Sequence, residues 1–195
     1  MKSDLYVQFI AEINTETFAR LTEILEQAVR GSTDRLHLLL STPGGSVSHG
    51  LTLYTLLRGL PLEVWTYNIG QVDSVGVVVY CAGKKRLAAP QTRFLLHGIS
   101  VELSGLYNAR ALRERLTALE ADQQNICRVI AEATGQAIEK IERDLEAHLT
   151  LLPEQAQACR LVDEVRTEIV QPDAEILTIL GKTSDRMGQM YYVEN

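Results

Sequence analysis

Two side chains in this sequence could together make and break an acyl bond: Ser74 and His97. A serine hydroxyl is a poor nucleophile until a base takes its proton, and an imidazole does that near neutral pH. Ser74 follows Gly70-Gln71-Val72-Asp73, which reads as a polar turn, and opens the apolar run Val75 to Cys81. A serine at the head of such a run lies at a helix N-terminus, where backbone N–H groups lack partners and the helix dipole is positive. Those N–H groups suit an oxyanion. The same position suits a plain N-cap whose hydroxyl bonds back to the helix, so the local sequence leaves both readings open.

A second set of N–H groups comes from Ser41-Thr42-Pro43-Gly44-Gly45-Ser46. Pro43 forbids ladder pairing and the two glycines permit unusual backbone angles. Strand, glycine-rich turn and helix also build phosphate loops, but the G-x-x-x-x-G-K-[ST] spacing and its lysine are absent, as is G-x-G-x-x-G. Of the other histidines, His37 reads as a side chain at a sheet margin and His49 as an exposed helix residue.

The elements that must position these groups follow from hydrophobic period. Leu5 to Ile10 reads as a strand. Asn14 or Thr15 caps a helix whose apolar face is Phe18, Leu21, Ile24, Leu25 and Ala28. Leu36 to Leu40 reads as a strand buried on both faces, as in parallel sheets. A helix from about Val47 to Leu57, a strand from Leu62 to Ile69 and the helix opening at Ser74 come next. Three strand–helix units in series predict an α/β fold with parallel strands and right-handed crossovers. Sites in such sheets form beyond the carboxyl ends of the strands, where Gly44-Gly45 and Ser74 both fall. His97 ends a strand predicted from Thr92 to Leu96. Tyr107 to Ala133 reads as a long helix with Leu112, Leu116, Leu119, Ile126 and Ile130 in near-heptad spacing. A helix from about Gln136 to His148, a short helix at Glu154 to Arg160 and a strand at Leu161 to Val165 complete the pattern. The apolar run ILTIL from Ile176 has no place in it.

Composition excludes several classes. A net charge of −6 and a pI near 5.3 argue against nucleic acid or an anionic membrane as partner. Cys81, Cys127 and Cys159 fit neither a disulfide framework nor a zinc spacing, and Cys81 and Cys127 read as packing residues. No metal and no cofactor is expected. The start, MKSDLYVQF, does not read as a signal peptide, so the cytoplasm is the expected compartment.

The segments STPGGSVSHGLTLYTLL, IGQVDSVG, the strand ending in His97, ATGQAIEKIERD and PEQAQACRLVDEV resemble, in order, the proteolytic subunit of the Clp peptidase, within the ClpP/crotonase superfamily. The resemblance covers roughly Leu36 to Val165. It implies repeated ββα units, a mostly parallel sheet and a protruding handle helix. As one domain, residues 1–195 divide into a head (about 1–97 and 135–170), a handle (about 98–134) and a tail (about 171–195). It implies Ser74 as nucleophile, His97 as general base and the N–H groups of Gly45 and Val75 as oxyanion hole. An extended polypeptide substrate would lie against Gly44, Ser46 and Val47 on one side and Gly98 on the other. Heptameric rings of identical subunits, joined through the handles, and an ATPase partner are also implied.

The sequence departs from that pattern in three places. Direct alignment of Ile141-Glu142-Arg143-Asp144 puts His148 at the triad-acid position and Ala147 at an arginine used between rings. Asp73, Asp144 and Glu146 are candidate replacement acids. Gly98-Ile99 follows His97 where the family has Gln-Pro. The first strand begins at about Leu5, so the extension that forms axial loops is nearly missing, which argues against family-type ATPase docking. The expected function is a serine endopeptidase subunit. The alternatives are a catalytically weak structural subunit of a mixed ring and, less favoured, a crotonase-type acyl-CoA enzyme.

Overall fold

A computed structural model describes residues 4–31 and 33–181. Strand β1 (Asp4–Ile10) leads to helix α1 (Thr15–Arg30), then β2 (Arg35–Thr42), α2 (Val47–Gly59), β3 (Glu63–Asp73) and α3 (Val75–Tyr80). The order continues with β4 (Lys85–Ala88), β5 (Arg93–Leu96), α4 (Ala109–Thr134), α5 (Ile138–Glu146), β6 (Leu149–Leu151), α6 (Pro153–Ala158), β7 (Glu164–Val165) and β8 (Ile176–Leu180). The strands form one sheet in the order β6-β5-β3-β2-β1-β8, with β4 also beside β3 and β7 beside β4. Each described pairing is parallel except β5 with β6. This is the expected mostly parallel α/β architecture.

Local chemistry accounts for the element ends. Asn14 caps α1: its side chain accepts from the Thr17 N–H at 3.1 Å while the Thr17 hydroxyl accepts from the Asn14 N–H at 3.0 Å, a reciprocal capping arrangement. Leu21, Leu25 and Ala28 are buried on the inner face of α1, with Phe18 and Ile24 packed at its border. Helix α4 starts on Asn108 and ends at Gly135 in the left-handed region, whose N–H donates to Ala131 O at 2.8 Å. Burial on α4 is concentrated from Ile126 onward, while Leu112 and Leu116 on its first half stand in solvent. Cys81 and Cys127 are buried packing residues, as expected.

The structure corrects the sequence-based expectations in several places. Gly70 to Asp73 is not a turn. Strand β3 runs on to Asp73 because it is shared: Trp65–Asn68 pair with β4, and Gln71–Asp73 pair with β5. His37 is not at a sheet margin but buried, because β2 is central. Its ring stacks on Tyr6 with centres 4.1 Å apart, and its Nδ1 lies 2.7 Å from the Tyr67 hydroxyl. His49 is half-buried, with its ring 4.7 Å from that of Phe18. The helix expected to reach His148 stops at Glu146, and the chain turns there into the unpredicted strand β6. Strand β4 was also unforeseen, since Lys85-Arg86 hides an inward-facing pattern. ILTIL finds its place as β8, parallel to β1 from Tyr6–Ile176 to Ile10–Leu180. The remainder of the expected tail, residues 182–195, lies outside the described residues.

Candidate active site

The glycine turn after β2 is held by backbone hydrogen bonds to the segment after β1. Ile13 N–H donates to Gly44 O at 2.7 Å and Ser46 N–H to Ile13 O at 2.8 Å. Between them the Gly45 N–H forms no backbone bond among the described residues, and Gly44 N–H donates to the Thr42 hydroxyl at 3.1 Å. Gly44 (φ +91°) and Gly45 (φ +133°) use angles that side chains rarely allow. Glycine at 44 is also required by space: a Cβ there would sit 2.7 Å from Ser74 Cβ and 2.8 Å from Asp73 O. The turn therefore packs directly on Ser74, across a separation of 74 − 44 = 30 residues in sequence. Ser46 is the N-cap of α2 and Val47 its first helical residue.

Ser74 occupies the N-cap position of α3 yet makes no capping hydrogen bond. Its backbone sits at φ 57°, ψ −132°, a sparsely populated region whose cost for a non-glycine residue is about 1–3 kcal/mol. Among the described residues the hydroxyl is thus not committed to a cap, and the backbone is strained. Among the sequence alternatives, the plain N-cap is the one this geometry rules out. Val75, the first residue of α3, is buried, and its N–H belongs to the turn that has no intrahelical acceptor.

Strand β5 brings His97 to this end of the sheet. Ser74 N–H donates to Leu95 O at 2.8 Å, and Asp73 pairs with Leu95, so His97 follows two residues beyond the strand position bonded to Ser74. His97 is half-buried, and its Nδ1 lies 2.8 Å from Gly98 O. A carbonyl can only accept, so Nδ1 carries the hydrogen and Nε2 presents its lone pair. Among the described residues no hydrogen bond joins Ser74 Oγ to His97. Gly98 N–H donates to Leu145 O at 3.1 Å, and Ile99 N–H to Gln123 Oε1 at 3.0 Å. Beyond them opens a cleft of about 440 Å³ lined by Gly98, Ile99, Leu119, Gln123 and Glu146, among others.

His148 lies beside His97. The antiparallel β5–β6 register runs from Phe94–Leu151 to Leu96–Leu149, and the two histidines lie just past its end. Their ring centres are 5.7 Å apart with 25° between planes. His148 has φ 52° and is exposed. None of the three candidate replacement acids bonds to His97. Asp144 is paired with Lys140 at 2.6 Å, and Glu146 is exposed. Asp73 is held bidentately by Arg93, with Nη1–Oδ1 and Nη2–Oδ2 both 3.0 Å, and Arg93 also reaches Gln71 Oε1 at 2.9 Å. Burial raises the Asp73 pKa above the usual carboxylate value, with Arg93 opposing and nearby His97 adding a smaller favourable field. Arg93 was not singled out from sequence. Its one signal was a charged residue opening an otherwise apolar strand.

The model of the Clp protease family matches residues 1–169. The chain belongs to the Clp protease family. It is 32% identical over 161 residues to the ATP-dependent Clp protease proteolytic subunit 3 of Rhizobium meliloti (strain 1021), covering 82% of each chain. It is 29% identical over 163 residues to proteolytic subunit 2 of Chlamydia trachomatis serovar D, covering 82% of this chain and 79% of that one. Among solved structures it resembles an asparagine-to-aspartate mutant of ClpP1 from Listeria monocytogenes, with a TM-score of 0.73 and 25% identity over 86% of this chain and 91% of that one. These likenesses bear out the family resemblance and the fold. Among the described residues no helix is long and apolar enough to cross a membrane.

Proposed function

We propose that this Clp-family chain is a serine endopeptidase subunit in which Ser74 attacks the peptide carbonyl and His97 is the general base. The single observation that carries this reading is the Ser74 hydroxyl, which makes no cap hydrogen bond and sits on a strained backbone pressed against Gly44. A serine that only capped α3 would use its oxygen for the cap and adopt a relaxed extended conformation. In the proposed reaction Nε2 of His97 takes the hydroxyl proton as Oγ bonds to the carbonyl carbon. The Gly45 and Val75 N–H groups receive the developing oxyanion. The imidazolium then returns its proton to the leaving amine as the C–N bond breaks, and water releases the acyl group by the same route. An extended polypeptide would lie between the Gly44–Val47 segment and the strand end at Gly98.

The third triad role is the weak point of this machinery. Gly98 O fixes the tautomer of His97, but a neutral carbonyl does not stabilise an imidazolium as a carboxylate does. His148, opposite, brings no negative charge. Turnover is therefore slow compared with a full Ser-His-Asp arrangement. That same observation favours, as second reading, a subunit whose main service is structural, within a ring built through the exposed face of α4. The cytoplasm and homo-oligomeric rings are part of the proposal. A fluorophosphonate probe separates the readings. Labelling confined to Ser74 and absent in Ser74→Ala supports the peptidase. No labelling of the parent protein on either side of neutral pH leaves the structural subunit.

A further inference from the structure

Strand β3 changes partner in mid-course: Asn68 pairs with Ala88 of β4, and Gln71 pairs with Arg93 of β5. Side chains stitch the gap. Asn68, fully buried, donates from Nδ2 to Arg93 O at 2.8 Å and accepts the Gly70 N–H on Oδ1 at 3.0 Å. Gln71 and Asp73, two apart on β3, present their side chains to one face of the sheet. The Arg93 guanidinium spans both. Its Nη1 donates to Asp73 Oδ1 at 3.0 Å, and its Nη2 meets Asp73 Oδ2 at 3.0 Å and Gln71 Oε1 at 2.9 Å. A planar fork fixes direction as well as position, where an ammonium supplies only a point charge.

Asp73 is the residue that leads into Ser74. Strain such as the φ of 57° at Ser74 lasts only where the surroundings over-determine it. The Val77 N–H donates to Ser74 O at 3.0 Å, but an ordinary N-cap makes that bond too, so it does not select the strained state. Turning φ at residue 74 to negative values moves either α3 or the end of β3. Helix α3 is buried along its whole length, so the strand end is the part that would move. Two ties to β5 oppose this: the Ser74 N–H to Leu95 O bond at 2.8 Å and the grip of Arg93 on Asp73.

We propose that Arg93 and Asp73 form a clamp that holds Ser74 in its strained conformation, which makes both of them positioning residues for the serine. With the fork gone, the end of β3 shifts, φ at Ser74 turns negative, and the hydroxyl falls back onto the first N–H groups of α3 as a plain cap. The effect on reactivity rests on the peptidase reading above; the conformational claim does not.

The test compares the full chain with Arg93→Lys, which keeps the charge beside Asp73 and removes the fork. If Arg93 only neutralised a buried carboxylate, lysine would restore stability and reactivity alike. The clamp predicts a split: a melting temperature within a few degrees of the parent's, but fluorophosphonate labelling of Ser74 slowed roughly 5–150-fold, the population lost when the strain is released. The pH midpoint of labelling should stay at the parent's value, because no charge near His97 changes. Asp73→Asn should slow labelling as well, and adding Arg93→Lys to it should cost little more, as for two residues acting as one unit. Arg30→Lys, in the exposed pair with Glu26, should label as the parent does. Crystal structures of the parent and Arg93→Lys supply a readout independent of reactivity, and Asp73→Asn takes the place of Arg93→Lys if that variant does not fold. Positive φ at Ser74 in the parent and negative φ in the variant, with Oγ accepting from an N–H of α3, uphold the clamp. Ser74 still strained in the variant, or labelling as fast as the parent's, overturns it. An unlabelled parent whose Ser74 relaxes in the variant upholds the clamp and refutes the serine chemistry instead.

Discussion

Replacing His148 with aspartate should speed the chemistry at Ser74. Residue 148 already lies beside His97, with ring centres 5.7 Å apart, and its positive φ is one that aspartate accepts. A carboxylate about 5 Å from the His97 ring, at an effective dielectric of about 20, stabilises the imidazolium by about 3 kcal/mol. Residue 148 is exposed, and solvent reduces that to about 1–2 kcal/mol. Lowering the barrier by that amount raises the rate roughly 5–30-fold. The assay is the second-order rate constant for fluorophosphonate labelling of Ser74 in His148→Asp against the parent, with thermal melts to show that both are folded. His148→Asn, which is uncharged, should gain nothing. A folded His148→Asp that labels no faster than the parent refutes the idea that the missing charge beside His97 limits this site.

Other perturbations follow from the same geometry. Gly44→Ala forces a Cβ within 2.7 Å of Ser74 Cβ at a positive φ; a loss of about 2–4 kcal/mol in denaturant melts is expected, together with loss of labelling. Arg93→Met strips the partner from buried Asp73, whose pKa burial already raises and Arg93 opposes. A raised carboxylate pKa means that the folded state disfavours the ionised form, so the variant's stability deficit of about 2–4 kcal/mol should appear at pH 7 and shrink as the pH falls through the carboxylate range. His37 is buried and its pKa is lowered, mainly by desolvation with Asp4 opposing. A histidine kept neutral in the fold costs stability as pH falls below its ordinary value of 6.5, so His37→Gln should flatten the loss of thermal stability on the acid side of that value. Leu112→Glu with Leu116→Glu, on the exposed half of α4, should leave the melting temperature within a few degrees while reducing the assembled mass seen by light scattering.

The legible part of this molecule was the part written in period and punctuation. The α1 face, the buried β2 run and the crossover order each follow from residue spacing, and parallel topology then brought Gly44 and Ser74 to the same end of the sheet. What stayed hidden depended on partners distant in sequence. Gly70 to Asp73 carries turn-type residues, and only pairing with β5 makes it strand. His37 looked like a polar interruption, and three aromatic neighbours from two other strands make its burial tolerable. Asp73 was a candidate acid by proximity in sequence, but Arg93, twenty residues on, had already claimed both its oxygens. The strain at Ser74 was also beyond reach, because φ and ψ are imposed there by α3, β5 and the glycine turn together.

The most direct measurement is a crystal structure of the chain after reaction with a fluorophosphonate. The account predicts a phosphonate ester on Ser74 Oγ, with one phosphoryl oxygen about 2.7–3.1 Å from the N–H groups of both Gly45 and Val75 and the His97 ring turned toward the ester oxygen. An adduct on a different residue, or an ester on Ser74 whose oxygens contact neither N–H, would contradict it.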